Sequence, residues 1–555
     1  MTRRRLRNVS PVVVAALLFV MGAVHDAAAV PAARKPGPAM YDVRGYGAVP
    51  DGKTKATEAV RKAIAAASAA GGGTIVFSGG TYLTGPIHLK SNITLFIDNG
   101  TVLQFTSNFD DYLPMVRSRW EGTEVVNFSP LIYGDKVENV AITGRGLIDG
   151  GGEPWWKTYR ELKDQLGKPV PPAVQSKWQK EFARVNTDRH EWPDDRRWLE
   201  NGFLRPPLIQ ILDGKNVLIT DVTIKNPPFW TINPVYCDGV TIRGITIDNP
   251  EGSPNTDGID PESSRNVHIS DSHLRTGDDC IAIKSGRDAQ GRRVGRPSEN
   301  ITITNCTMLR GHGGVSMGSE MAGSVRRVAV SNCVFQDIER GIRIKSTRGR
   351  GGVVEDVQVS NIVVRNLKHE AIAIDLFYTA APPEPVSERT PHVRNIHYSG
   401  ITGTARKAGT LLGLEEARVE DVSITDFNVA ADTGLVVRNA DHVTLRSVRI
   451  RTDAGPAVSA DSTGDLRLFD VGTLAPHTGT PQVELVNVSH AFLQGCFAPP
   501  GSDVFLSLRG RGTREIVVGE NDLAGARTPV SLVGDVDPRS LHLRLVGQNG
   551  SVTPR

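Results

Sequence analysis

The sequence predicts an all-β protein, a parallel β-helix (solenoid) whose open end is closed by an N-terminal capping helix. A five-residue template of aliphatic, any, aliphatic, Ser or Thr, and Asp or Asn recurs along the chain. Its copies are residues 217–221, 267–271, 301–305, 328–332, 357–361 and 422–426. With a looser copy at Val240, the copies between residues 217 and 357 start 23, 27, 34, 27 and 29 residues apart. Such periods are typical of solenoids.

Alternation within the template identifies its secondary structure. Two aliphatic side chains two positions apart lie on one face of a strand, whereas a helical repeat needs apolar spacings of three and four. The fifth position, Asp or Asn, suits a turn because these residues tolerate a left-handed backbone and bond to it locally. The 57 Gly and 34 Pro with only 6% aromatic residues also indicate short strands and many turns.

The first 29 residues have the pattern of a signal peptide. Four Arg between residues 3 and 7 precede an apolar run at residues 12–24 and a small-residue cleavage site at residues 27–29. The alternative is a membrane anchor, although the apolar run is short for a bilayer. We therefore expect an exported protein, extracellular or periplasmic, that has no membrane partner after cleavage.

Net charge excludes one class of partner. Removing residues 1–29 takes four Arg and one Asp from the 64 basic and 61 acidic residues, so the mature chain is neutral. We therefore expect no nucleic-acid partner. Any affinity for an anionic substrate has to come from local cations.

The N-terminal part of the mature chain resembles the start of parallel β-helices in which a helix closes the end of the core; the alternative is an ordinary helix followed by strands. Residues 57–70 form an Ala-rich helical run that ends at Gly71, and residues 74–77 and 82–83 follow as strands. We place a β-helix catalytic domain at residues 30–400. Further coils and a C-terminal cap follow at 401–555.

Residues 151–207 interrupt the repeat and are predicted to be an insertion between coils. They hold five of the seven Trp, and residues 172–185 are polar and predicted to be helical. The aromatic side chains would form the insertion's own small core, or would stack on sugar rings. Trp230, in the coil before the carboxylates, is a better candidate for lining a binding site.

Chemistry-bearing residues concentrate between residues 255 and 345. Four short motifs follow one another there: Asn-Thr-Asp-Gly at 255–258, Gly-Asp-Asp-Cys at 277–280, Gly-His-Gly at 311–313 and Arg-Ile-Lys at 343–345. Stacked coils bring equivalent positions about 4.7–4.9 Å apart. Because the motifs are about one coil apart, we expect them to line one cleft.

The residue types in this stretch suit glycosidic-bond hydrolysis. Asp257, Asp278 and Asp279 would supply an acid and a base, and crowding should raise the pKa of at least one of them. Both Asp278 and Asp279 reach the cleft only if the backbone bends at Gly277. His312 would be protonated beside carboxylates.

Two cations complete the predicted site. Arg343 and Lys345 are two residues apart and therefore lie on one strand face. An Arg guanidinium binds a carboxylate in bidentate fashion, so this pair suits an acidic sugar.

The four motifs together resemble those of the polygalacturonase family of glycoside hydrolases, over roughly residues 40–380. The resemblance implies a single-stranded, right-handed parallel β-helix. The implied reaction is hydrolysis, with inversion and without metal or cofactor, of α-1,4-galacturonosyl linkages in polygalacturonate or pectin. Residues 119–122 and 260–263 are similar to bacterial members, several of which act from chain ends.

The resemblance also implies roles for individual residues. Asp278 would be the general acid, Asp257 and Asp279 would activate water, and His312 would assist the acid. Five residues are candidates for binding the substrate, some implied by the resemblance and some by the sequence itself. They are Asn255, Arg343, Lys345, Tyr378 and Trp230. We expect an acidic polysaccharide as the partner and a monomer as the assembly state.

Other interpretations stay open. A pectate lyase on the same solenoid would use Ca²⁺ and a cationic base, although Gly-His-Gly beside Arg-Ile-Lys favours hydrolysis. A rhamnogalacturonan or xylogalacturonan hydrolase, or a non-catalytic carbohydrate-binding solenoid, would also have this fold. Cys306 and Cys333 occupy the same template position, so they form either a disulfide between coils or two buried thiols.

Overall fold

The computed structural model describes residues 39–166, 173–193 and 195–543, and within them strands dominate. The predicted signal segment lies outside the described residues. Among those described, no helix is long and apolar enough to cross a membrane.

The strands before the longest interruption are short. They are β1 (Met40–Asp42), β2 (Asp51–Lys55), β3 (Gly73–Phe77), β4 (Gly80–Thr84), β5 (Ile87–His88), β6 (Ile93–Ile97), β7 (Thr101–Phe105), β8 (Val116–Trp120), β9 (Thr123–Asn127), β10 (Ile132–Asp135), β11 (Glu138–Gly144) and β12 (Leu147–Asp149).

The remaining strands are longest between residues 353 and 472. They are β13 (Ile209–Leu212), β14 (Lys215–Thr220), β15 (Thr223–Lys225), β16 (Ile232–Val235), β17 (Asp238–Arg243), β18 (Thr246–Asp248), β19 (Arg265–Ser270), β20 (His273–Arg275), β21 (Ile281–Ile283), β22 (Ser298–Thr304), β23 (Thr307–Arg310), β24 (Gly313–Met317), β25 (Val325–Gln336), β26 (Arg340–Lys345), β27 (Val353–Asp375), β28 (His392–Leu412), β29 (Val419–Gly472), β30 (Pro481–Val486), β31 (Ser489–Gln494), β32 (Ser502–Arg509), β33 (Arg514–Val518), β34 (Ala526–Val533) and β35 (Leu541–Leu543).

Helices are few among the described residues. The α-helices are α1 (Thr57–Ala69), α2 (Glu153–Lys163), α3 (Lys177–Val185), α4 (Arg197–Asn201) and α5 (Asp288–Val294). Short 3₁₀ helices are Val43–Tyr46, Phe109–Tyr112 and Pro538–Ser540.

Parallel pairing stacks the strands into coils, which confirms the predicted parallel β-helix. A first stack runs β3, β6, β11, β14, β17, β19 and β22 into β25. A second runs β4, β7, β12, β15, β18, β20 and β23 into β25. A third contains β5, β10, β13 and β16, continues through Ile259 to β21, β24 and β26, and joins β27. The pair β8–β9 is antiparallel.

The inner side of the third stack is a ladder of aliphatic residues. Each member pairs with its equivalent in the next coil, and each is at most 2% exposed. The ladder is Ile87, Ile132, Ile209, Ile232, Ile259, Ile281, Val315, Ile342 and Ile372. Burial of one such side chain contributes about 1.5–3 kcal/mol. The ladder therefore fixes the strand register, and with it the outward positions on either side.

The turn after the first stack confirms the predicted role of Asp and Asn. The fifth template residues all have a positive φ between 51° and 65°: Asp221, Asp271, Asn305, Asn332, Asn361 and Asp426. The amides also bond between coils, since Asn305 Nδ2 donates to Asp271 Oδ1 at 3.2 Å. The same side chains thus make the turn and tie successive coils together.

Helix α1 covers the N-terminal end of the core, as predicted. Its buried face consists of Ala59, Val60, Ala63, Ile64 and Ala67, which follow a three-to-four spacing. The helix ends before Gly71 and Gly72, whose φ values of 90° and 135° are accessible to glycine.

The segment between β12 and β13 contains α2, α3 and α4 and no strand among its described residues. Trp155, Trp156 and Trp192 are at most 7% exposed there. Trp155 packs against Phe109 with ring centroids 4.2 Å apart. The aromatic side chains therefore form a local core. Of the predicted helix at 172–185, the structure has residues 177–185, and residue 172 lies outside the described residues.

All five cysteines are free and buried. Cys306 and Cys333 stand as two thiols in neighbouring coils, which is the second of the two alternatives above.

Candidate active site

The four sequence motifs meet at the third stack. Asp257 precedes the bridge residue Ile259, Asp279 precedes β21, His312 precedes β24, and β26 carries both Arg343 and Lys345. Ile281, Val315 and Ile342 pair in register and point inward. Because side chains alternate along a strand, the polar residues between and beside them point outward into one region.

The three carboxylates converge. Asp257, Asp278 and Asp279 each place an oxygen within 4.8 Å of the others. Asp257 and Asp279 are 3% and 0% exposed, whereas the side chain of Asp278 is 21% exposed. Asp278 is thus the member of the trio that a substrate reaches most easily.

A bend ahead of β21 lets two adjacent aspartates reach the same place. Residues 277–279 lie outside the strand, and Thr276 Oγ1 donates to the carbonyl of Asp278 at 2.6 Å. Gly277 is required at this bend because a Cβ there would lie 2.3 Å from the carbonyl oxygen of Ser253. The bend that the sequence required is present.

Asp279 forms a buried ion pair with Lys345. Lys345 Nζ donates to Asp279 Oδ2 at 2.8 Å. Oδ1 of Asp279 has no hydrogen-bond partner among the described residues. Burial alone would raise the pKa of Asp279, but Lys345 and Lys284 outweigh it and lower that pKa to about 2. Asp279 is therefore an ionised, buried carboxylate whose Oδ1 is an acceptor without a partner among the described residues.

Asp257 has the opposite electrostatic character. Burial, and after it the charge of Asp278, raises the pKa of Asp257 well above the ordinary carboxyl range. Its Oδ1 also has no partner in the described part of the chain. The predicted raised pKa within the trio is thus found at Asp257.

His312 is bound to the third member of the trio. Its Nδ1 lies 3.0 Å from Asp278 Oδ1, and its backbone N–H donates to the Asp278 carbonyl at 2.9 Å. The bond to Asp278 raises the pKa of His312 to about 9 despite partial burial. The imidazole is therefore protonated at neutral pH, as the sequence predicted.

The glycine after His312 gives the trio space. A Cβ on Gly313 would lie 2.6 Å from Asp279 Oδ1 and 2.5 Å from Ser316 Oγ. Position 313 therefore accepts only glycine beside this oxygen of Asp279.

The cationic pair lies at one end of the site. Arg343 and Lys345 are 9% and 6% exposed. Tyr378, 43% exposed, covers both: its ring centroid is 5.1 Å from Arg343 Cζ and 5.3 Å from Lys345 Nζ. The structure therefore brings Tyr378 to the predicted cations.

Asn255 and Trp230 lie at the other side of the trio. Arg205 Nη2 donates to Asn255 Oδ1 at 2.7 Å, which links the site to the end of the helical segment. Trp230 stacks on Phe229 and is only 3% exposed, with its ring 4.9 Å from Lys284 Nζ. Substrate binding by Trp230 stays a prediction, because most of its ring is covered by protein.

Sequence reasoning missed the pair Lys284 and Glu320. Lys284 Nζ is 3.1 Å from Glu320 Oε2, and both side chains are largely buried. Acidic neighbours, Glu320 first, raise the pKa of Lys284 well above its ordinary value although burial opposes them. A signal existed, because the run Ile281-x-Ile283-Lys284 repeats the alternation of Ile342-x-Ile344-Lys345.

A second missed residue is Asp260. It is fully buried, and neither carboxylate oxygen has a hydrogen-bond partner among the described residues. Burial, followed by the charge of Asp257, raises the pKa of Asp260 well above its usual range. Residues 260–263 are similar to bacterial members of the family, but no local pattern in them marks Asp260 as a buried carboxylate.

Among the described residues, the trio is the group of carboxylates whose oxygens lie close enough together to hold a metal ion. Lys345 and Lys284 already supply positive charge beside Asp279. A calcium site takes six to eight oxygen ligands, and these ammonium groups compete for the same carboxylates. The donor set therefore fits a metal poorly.

Comparison with known proteins also points to a glycoside hydrolase. The model of glycosyl hydrolases family 28 matches residues 190–446, which include every candidate site residue. A model described as rhamnogalacturonase A/epimerase, pectate lyase-like, matches residues 40–160.

Among solved structures, the chain is similar to a hyperthermoactive exopolygalacturonase from Thermotoga maritima. The two are 35% identical with a TM-score of 0.64, over 75% of this chain and 93% of that chain. An endo-polygalacturonase from Pectobacterium carotovorum subsp. carotovorum is 29% identical over 65% of this chain and 81% of its own.

A probable polygalacturonase from Vitis vinifera is 32% identical over 333 residues, which are 58% of this chain. The match spans 60% of the Vitis vinifera protein, less than two thirds of its length. The family model thus covers the candidate site, and the similarity to the Thermotoga maritima enzyme extends over 93% of that enzyme. The chain belongs to the glycosyl hydrolases of family 28 and is a glycoside hydrolase.

Proposed function

We propose that the protein hydrolyses α-1,4-galacturonosyl linkages of polygalacturonate and pectin oligosaccharides. One observation carries the proposal: three carboxylates meet within 4.8 Å, beside a histidine and the cations Arg343 and Lys345. Carboxylates supply the acid and base that glycosidic cleavage needs, and the cations suit a substrate that carries a carboxylate on each sugar. Relatives described as polygalacturonases support this substrate class.

Exposure supports Asp278 as the general acid. It is the part-exposed member of the trio, so its carboxyl group reaches the glycosidic oxygen. Asp257 and Asp279 each keep one oxygen without a partner among the described residues. These two oxygens would accept hydrogen bonds from one water molecule and activate it for attack.

The pKa of Asp257 favours this residue, and not Asp278, as the general acid, and an experiment distinguishes the two assignments. The raised pKa belongs to Asp257, and a raised pKa suits a general acid. A substrate with a good leaving group needs no acid, so such a substrate should restore the rate of an acid-deficient variant. We expect the rescue in Asp278→Asn, and rescue of Asp257→Asn in its place would exchange the two roles.

Inversion by single displacement is part of the proposal. Inverting enzymes usually separate their two carboxyl groups by about 6.5–9.5 Å, whereas retaining enzymes use about 5–5.5 Å. In the trio, one oxygen of each carboxylate lies within 4.8 Å of the others; this distance joins single oxygens rather than whole carboxyl groups, so it selects neither mechanism. The oxygens of Asp257 and Asp279 that lack a partner among the described residues support water activation. The anomeric form of the first product decides between the two.

Substrate positioning follows from the cationic end of the site. We assign Arg343 and Lys345 to a uronate carboxylate, and Tyr378 to the sugar ring that this carboxylate belongs to. On the other side of the trio, Asn255 and Trp230 would contact the neighbouring sugar. Arg205 fixes Asn255 at 2.7 Å, so the helical segment at 151–207 would wall off that end and favour action from chain ends.

The remaining expectations belong to the same proposal. We propose a monomeric enzyme, exported to the periplasm or the medium through residues 1–29. Residues 30–400 would form the catalytic domain, and 401–555 further coils with a C-terminal cap.

Incubation of the purified chain with polygalacturonate tests the proposal. We expect new reducing ends in the presence of a chelator, without the absorbance of an unsaturated product, and an inverted anomer by NMR in the first minutes. Unsaturated products would indicate a lyase. Cleavage of rhamnogalacturonan or xylogalacturonan alone would indicate a sister specificity, and a protein that binds without cleaving would contradict the proposal.

A further inference from the structure

The outward row that holds Lys345 continues away from the carboxylate trio. Lys345 pairs with Asp375, Asp375 with Leu412, and Leu412 with Arg438 in successive coils. The inward neighbours Ile374, Leu411 and Val437 are buried. Arg438 therefore stands outward on the same row as Lys345, three coils on, about 14 Å along the solenoid.

Exposed apolar side chains accompany this row. Phe377 is 36% exposed, Tyr378 43% and Val436 39%, although large apolar residues elsewhere in the described coils are mostly buried. The parallel row from Arg343 continues through Ala373 and Thr410 to Val436. Because the side chains of Ala373 and Thr410 are small, this row projects little from the surface between Arg343 and Val436.

Two guanidinium groups flank Phe377. Arg348 Cζ is 5.4 Å and Arg438 Cζ 5.5 Å from its ring centroid. Arg348 is neutralised, because Nε and Nη2 donate to Glu416 at 2.5 and 2.9 Å. No side-chain ion pair of Arg438 occurs within the described ranges, and its side chain is exposed.

We propose that Phe377 and Arg438 form a distal subsite for a uronic-acid residue of the polysaccharide, several sugars away from the scissile bond. The inference rests on the proposed function. Phe377 offers an apolar surface to a pyranose ring, and Arg438 offers a guanidinium to its carboxylate. Tyr378 lies between this subsite and the cations Arg343 and Lys345, so one chain contacts all of them along the row.

The subsite recognises an acidic sugar in an extended chain. Neutral sugars would use Phe377 but leave Arg438 without a partner. Of the two guanidinium groups beside Phe377, Arg348 is paired with Glu416, and Arg438 is the one without an ion-pair partner among the described residues. Short substrates held at Arg343 and Lys345 do not reach this far.

Comparison of long and short substrates tests the subsite. We expect Arg438→Gln and Phe377→Ala each to raise KM for polygalacturonate about fivefold to tenfold, the loss of one charge-assisted contact. Values of kcat/KM for trigalacturonate should stay within about twofold of the parent. Added salt should weaken the parent on the long substrate and leave Arg438→Gln less affected.

Arg511→Gln is the matched control, because Arg511 is 85% exposed on a distant coil. Thermal melts confirm that each variant folds. Equal kinetics of Arg438→Gln and the parent on both substrates would overturn the subsite, as would equal losses on both. A parent chain without activity on polygalacturonate would overturn the proposed function instead, so the two failures are distinguishable.

Discussion

Lys345 and Asp279, 66 residues apart in the chain, form an ion pair of 2.8 Å in which both side chains are nearly inaccessible, at 7% and 1% exposure. The pair exists because β26 lies two coils beyond β21 in the third stack. It joins the carboxylate trio to the cationic end of the site.

Removal of Lys345 should destabilise the protein. Lys345→Met leaves Asp279 as a buried carboxylate without its main cation, which costs about 3 kcal/mol. Urea denaturation measures the loss, and Lys345→Met combined with Asp279→Asn should recover most of it. Lys215→Met is the control, because its partner Glu138 is exposed and such pairs contribute about 1 kcal/mol or less. Equal losses in the two single variants would contradict the buried pair.

His312 should titrate near pH 9. The bond to Asp278 raises the pKa of His312 to about 9, so its stabilising effect is complete below the unfolded value of about 6.5 and disappears as pH rises through 9. NMR titration measures the midpoint directly. In Asp278→Asn the midpoint should fall toward 6.5, and an unchanged midpoint would exclude Asp278 as the cause.

Gly313 should not accept a side chain. The Cβ of Gly313→Ala would approach Asp279 Oδ1 to 2.6 Å and Ser316 Oγ to 2.5 Å, so Asp279 has to move. We expect kcat to fall at least about tenfold, since a displacement of about 1 Å at an active site costs up to about a hundredfold. Gly45→Ala meets no atom within 4 Å and should behave as the parent. Full activity of Gly313→Ala would show that Asp279 tolerates displacement.

Lys284 should set the acidic limit of activity. Its charge lowers the pKa of Asp279 and also acts against the raised pKa of Asp257. Lys284→Met should therefore move the acid limb of the kcat/KM profile to higher pH. Glu320→Gln keeps the Lys284 charge and removes a negative one, so it should not move that limb upward. Movement in the same direction for both variants would contradict the assignment.

The sequence predicted the coil better than the details of the site. The Asp and Asn turn residues and the inward aliphatic positions repeat locally, so the five-residue template was sufficient to identify them. The trio, the imidazole and the cations were also predictable, because their motifs follow one another about one coil apart and flank the same stack of strands. These side chains come together because successive coils stack on one another.

The contacts that sequence reasoning missed depend on longer excursions. Glu320 reaches Lys284 from a loop after β24, and Arg205 reaches Asn255 from the end of the helical segment. Neither position follows from a repeat period, because loops of irregular length place both partners. Asp260 was missed for a different reason: burial decides its character, and burial at a turn residue depends on what covers it.

The central claim is that stacked coils assemble one hydrolytic site around Asp278. The most direct test is the rate of reducing-end release from polygalacturonate by Asp278→Asn, beside the parent and Asp271→Asn. Asp271→Asn makes the same chemical change at a turn position where other coils carry Asn, so this variant should keep the parental rate. We predict that Asp278→Asn loses at least about a hundredfold in kcat. Parental activity in Asp278→Asn would contradict the account.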